Sequence, residues 1–219
     1  MPDHINSAEQ LVKEFEKQRR ENPVPNEMFA TPDEATVTLE HVRRLVGTEA
    51  QCHRTELVAY GTMLSRFPHR PAADLYLQLG RLVYDASPKL WACARSLGLE
   101  LDNVKFWPSE RTTYTFDGVV SWVAMQGAQA ATGMTSYADL TGYYSGCVKF
   151  VERVHASGLE VPGEFLEYYE DETPEALCRL ALEVVQDGLD RGDDPDEALF
   201  AARLLDESVG DFWRSVAAV

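Results

Sequence analysis

Long apolar runs are missing from this 219-residue chain. None approaches the ~18 residues needed to span a bilayer, so no membrane-crossing segment is expected. Basic residues are scarce: Lys and Arg number 20 against 36 Asp and Glu, a net charge of −16. Such a surface repels phosphate backbones and anionic lipid, which argues against nucleic acid and membranes as partners. The start, MPDHINSAEQ, has no basic stretch leading into an apolar one, and a cytoplasmic location is expected. Paired cysteines are absent too. Cys52, Cys93, Cys147 and Cys178 lie far apart with no CxxC, which fits neither a disulfide framework nor a zinc finger, so they read as reduced thiols. Sustained apolar–polar alternation is also missing, and with it the signal for a sheet.

What remains is helix after helix. With 45% hydrophobic residues the chain can bury one sizeable core. The expectation is an all-α, single-domain, multi-helix bundle over residues 33–219, preceded by an N-terminal helix and Pro-rich linker over residues 1–32. Helices are expected at 8–21, at 33–67 with Thr31 or Asp33 as cap, and at 71–98 with Gly98 as stop. Further helices are expected at 117–131, 136–157, 173–191 and 195–217. Residues 99–116 read as irregular, and Gly133, Gly158, Pro162 and Pro174 punctuate the second half.

Alternating steps of three and four along the first long helix give Leu39, Val42, Val46, Glu49, His53, Glu56, Tyr60, Met63 and Phe67. This stripe should face the core. Glu49, His53 and Glu56 interrupt an otherwise apolar seam, and burying them is costly unless they pair, bind a metal or line a cavity. The last helix repeats the pattern with Asp206 as the only charge among Leu199, Ala202, Val209, Trp213 and Val216. Between them, the helix at 136–157 offers Tyr137, Tyr144 and Cys147 on one stripe. Di-iron bundles draw on Glu-x-x-His pairs, and the one such pair in this chain, Glu152 and His155, lies near the end of its helix and away from the Glu49–His53–Glu56 stripe. The expectation is therefore a metal-free pocket with no cofactor, with iron as the alternative.

Two carboxylates and an imidazole packed together suit general acid–base work, because one carboxyl is pushed toward neutrality while the imidazole is held charged. Glu56 or Glu49 would be the base and His53 its orienting or proton-shuttling partner. Tyr60, Tyr143, Tyr144 and Trp213 would contact the substrate, and Trp107, Tyr114 and Trp122 are further candidate walls. Cys147, were it to face the cavity, would allow a covalent step. Arg43, Arg44 and Arg54 read as a solvated helix face.

The stretches SYADLTGYYSGC (136–147), GEFLEYYEDETPEALCRLALEVVQDGLD and ALFAARLLDESVGDFW (198–213) resemble the thiaminase II (TenA) group of the heme oxygenase-like fold. HRTELVAYGTMLSRFPHRPAADLYLQLGRLVYDASPKLWACARSLGLE is similar to the heme oxygenase-like di-iron oxidases and PqqC-like biosynthetic proteins. The resemblance implies a heme oxygenase-like bundle housing a small-molecule site, and commonly a dimer. The chain departs from both branches: Lys89 stands where the di-iron pattern wants a ligand, Gly210 follows Asp206 where it wants His, and Val209 stands where thiaminases carry Glu.

These residues lead to the expectation of a metal-independent tailoring enzyme performing elimination, cyclisation, C–N cleavage or hydrolysis on a small molecule, free or carried on an acyl carrier protein. The alternatives are an iron oxygenase with a reduced ligand set and a non-catalytic scaffold subunit. A homodimer, or a heterodimer with a paralogue, is expected to form along the helix at 71–98.

Overall fold

Apolar residues at helical spacing give nearly every segment one face to bury. The computed structural model describes residues 5–30, 37–170 and 174–219, with the side chains of residues 101 and 102 outside that description. Among the described residues there are ten α-helices, a single 3₁₀ turn and no strand. The chain is all-α. No helix among them is long and apolar enough to cross a membrane.

The helices are α1 (Ala8–Glu21), α2 (Glu27–Ala30), α3 (Leu39–Arg66), α4 (Ala72–Ser96), α5 (Leu101–Val104), α6 (Thr115–Gln126), α7 (Gln129–Ser157), α8 (Gly163–Tyr169), α9 (Glu175–Asp190) and α10 (Pro195–Ala217). Helices α3, α4, α9, α7 and α10 form a ring in which each packs on the next and α10 returns to α3. Helix α6 lies against α3 and α10, and α8 bridges α4 and α7. Helix α1 packs on α9 and α10 and buries Leu11 and Phe15 completely, so the N-terminal helix shares the common core.

Several boundaries differ from expectation. Helix α3 is capped by Thr38, whose hydroxyl accepts from the His41 amide while the His41 ring accepts from the Thr38 amide, a reciprocal cap. The expected caps Thr31 and Asp33 lie outside the described residues. Helix α7 runs unbroken through Gly133, because the missing side chain there lets the α9 backbone at Ala181 and Val185 come close. The break falls instead at Gly127 and Ala128, both extended. Helix α8 forms between the helices expected at 136–157 and 173–191, where none is expected. The segment 99–116 contains α5 and a 3₁₀ turn at Arg111–Tyr114. It is tied down by Gln51, whose side-chain amide donates to the carbonyls of Val104 and Trp107.

Arg44 is not on a solvated face. It is buried, donates to the Ser215 carbonyl at 2.6 Å and pairs with Glu110 at 3.0 Å. Arg43 and Arg54 cap the carbonyls of Leu97 and Lys105.

Candidate functional site

Glu49, His53 and Glu56 stand at successive turns of α3 and are all buried. They face a cavity of about 460 Å³ enclosed by α3, α4, α7 and α8. Asp139 joins them from α7, and a smaller hollow of about 40 Å³ continues inward past Glu49, Glu56, Asp139 and Cys52. Tyr60, Tyr143, Tyr144 and Tyr168 supply aromatic walls, while Leu79, Val83 and Leu140 supply apolar ones.

The imidazole is held from both sides. Ser87 donates its hydroxyl to the Val83 carbonyl at 2.8 Å, so its oxygen is left to accept from His53 Nδ1 at 3.0 Å. That fixes the neutral tautomer with the proton on Nδ1. The other nitrogen, Nε2, lies 2.8 Å from the Tyr168 hydroxyl and 3.4 Å from Glu49 Oε1. Burial works against the His53 cation, but the hydrogen bond to Glu49 and the charges of Glu49 and Glu56 outweigh it and raise its pKa above the ordinary value. The carboxyls respond in the same sense. Burial, with the nearby Asp139 charge, pushes Glu56 up to about 8, although His53 and the Tyr60 hydroxyl, donating at 3.2 Å, pull the other way. Burial and the charge of Glu49 push Asp139 up to about 7. The cavity thus carries two carboxyls that exchange protons near neutral pH beside an oriented imidazole.

Three candidate residues lie elsewhere. Asp206 turns away from the cavity and takes a two-pronged ion pair from Arg19 of α1, at 2.6 Å and 2.9 Å, so the charge on the α10 stripe is matched by a helix whose reach the stripe itself does not reveal. Trp213 is core: it packs among Phe29, Phe150 and Phe212 over Gly146, where any side chain would collide with its ring. Cys147 is buried outside the cavity lining, and burial together with Glu49 raises its thiol pKa well above the ordinary value. A thiol so held is a poor nucleophile. Of the other proposed walls, Trp122 meets Phe200 edge-on at the surface and Trp107 packs by Gly47 and Arg44.

Comparison with family models, curated proteins and solved structures finds no match. The site is therefore read from its own chemistry. Iron is the metal that the di-iron resemblance implies, and the residues present do not fit it. Both His53 nitrogens are engaged by Ser87, Tyr168 and Glu49. Among the described residues, no group of three or more His, Cys, Asp or Glu side chains is arranged to hold a metal ion.

Asp139, Tyr168 and Ser87 are absent from the sequence-based set. Asp139 carried a signal, as the only charged residue between Gln129 and Val148. Tyr168 and Ser87 carried none, since their roles depend on α8 and α4 meeting α3 at His53.

Proposed function

We propose that this chain is an enzyme performing non-redox, metal-independent acid–base chemistry on a small organic substrate, within a bundle of the heme oxygenase-like kind. The supporting observation is the convergence of Glu56, Asp139, Glu49 and His53 on one cavity, with the first two carboxyls shifted to about 8 and about 7. Near neutral pH, Glu56 is the proton-bearing acid and Asp139 the more readily ionised base. A pair of groups set apart in this way can give and take a proton in one turnover. His53, oriented by Ser87, relays protons through Tyr168 to Glu49, and Tyr60 holds Glu56 in place. Elimination, cyclisation and C–N cleavage all require this pairing of proton removal with proton delivery.

The test is consumption of compounds from a small-metabolite extract, followed by mass spectrometry for wild type, Glu56→Gln and Asp139→Asn. At least one compound should be consumed by wild type about a hundredfold faster than by either variant. Equal consumption by all three would remove the acid–base pair from the mechanism. Metal analysis of the same wild-type protein separates the rival reading: near-stoichiometric iron, lost in Glu49→Gln, would make the site an oxygenase centre.

A further inference from the structure

The charges of this cavity are segregated. Its interior ionisable groups are Glu49, Glu56, Asp139 and His53, whereas its Lys and Arg side chains, Lys89 and Arg81, are exposed at the mouth on α4. There Asp85 and Glu167 offset them, and Arg81 is paired with Asp85 at 2.5 Å. The mouth is balanced and the interior is not.

Glu49 has His53 as its counter-charge at 3.4 Å. Among the described residues, no Lys or Arg pairs with Glu56 or Asp139, and His53, already held by Glu49, is the nearest positive group to Glu56. Glu56 is 8% exposed and accepts only the Tyr60 hydroxyl, on one oxygen. Asp139 accepts no hydrogen bond from any described side chain, and yet it lines both the main cavity and the inner hollow. Glu56 is buried and Asp139 half-buried, and enclosing carboxylates in this way is costly unless something positive sits beside them. The surrounding surface is also of the kind that receives cations, because phenol ring faces attract positive charge and four tyrosines line the space.

On the reading of this cavity as an active site, we infer that its substrate is a small amine cation, with the ammonium at Glu56 and Asp139 and the remainder of the molecule against the tyrosine rings. A neutral substrate would leave these carboxyls without a counter-charge when they ionise, and an anionic one would add to the negative charge. Burial and the neighbouring negative charges push both carboxyls up, which is the strain that an adjacent positive charge relieves. Arrival of the ammonium supplies the missing partner and favours the ionised form of Asp139, the more readily ionised of the two, while Glu56 keeps its proton, so binding itself generates the base.

The test compares benzylamine, benzyl alcohol and benzoate, which share a ring and differ in charge, by isothermal titration calorimetry on the full chain. Benzylamine should bind at least about tenfold more tightly than benzyl alcohol. Asp139→Asn and Glu56→Gln should each reduce that preference while leaving the thermal melt cooperative. Should either variant fail to fold, the preference measured on the wild-type chain still decides. Benzyl alcohol or benzoate binding as tightly as benzylamine would overturn the amine assignment and leave the cavity a small-molecule site. Failure of all three to bind would overturn both the assignment and the functional reading on which it rests.

Discussion

The Tyr168 hydroxyl lies 2.8 Å from His53 Nε2 and reaches Glu49 Oε1 at 3.4 Å. With the imidazole neutral, Tyr168 donates to Nε2. With the imidazole protonated, Nε2 donates to Tyr168 and Tyr168 donates to Glu49. One phenol therefore serves both charge states without leaving its place, which is what a proton relay requires.

Glu49 is the residue that keeps the His53 pKa high against burial. Glu49→Gln should lower it, since removing a neighbouring opposite charge leaves burial in control. Titration of the His53 ring by NMR measures this directly. An unchanged value would mean that Glu56 alone holds the cation.

Stability should fall as pH rises through neutrality. The folded state keeps protons on Glu56 and Asp139 up to about 8 and about 7, whereas the unfolded chain releases the Glu56 proton near its ordinary value of 4.5. Between those limits the unfolded state binds fewer protons, so unfolding becomes easier with pH, by roughly 1 kcal/mol per pH unit for each retained proton. His53 adds to the same trend, because its raised pKa favours the fold at low pH and that support is lost above it. Urea unfolding across pH 5 to 9 should show the decline, and Glu56→Gln should flatten it and exceed wild type at the alkaline end. A flat wild-type profile would contradict the shifted carboxyls.

Arg19 and Asp206 join α1 to α10, with side chains 20% and 10% exposed. Arg19→Met should destabilise the fold by about 2 kcal/mol, between the small worth of exposed pairs and the larger cost of stranding a buried charge. Benzylamine affinity should stay unchanged, since neither residue lines the cavity. A loss of affinity without a loss of stability would place the pair in the site after all.

Of the four cysteines, Cys52, Cys93 and Cys147 are buried and Cys178 is half-buried. A chromogenic disulfide should titrate Cys178 first in the native protein and the others only on unfolding. Rapid modification of Cys147 would restore a covalent step to consideration.

The sequence made the helices legible wherever one face was apolar over several turns, as in α1, α4, α9 and α10. It misplaced the break before α7 because Gly133 is a helix stop locally and a packing device globally: only the approach of α9 distinguishes the two. The same limit applies to the site. Glu49, His53 and Glu56 lie on one stripe of one helix, so spacing alone groups them. Asp206 met the same criterion and belongs to a different neighbourhood, because its counter-charge comes from residue 19. Asp139 sits one position from the stripe chosen on α7, and helix rotation against a neighbour cannot be read from periodicity. Tyr168 depended on a seven-residue helix too short to announce itself.

Helix α8 places consecutive residues at opposite ends of one path: Glu167 is exposed at the mouth of the cavity, and Tyr168 touches His53 within it. Any displacement of that short helix moves both at the same time. The width of the entrance at Glu167 and the contact of Tyr168 with His53 and Glu49 are thereby set by the placement of the same seven-residue helix.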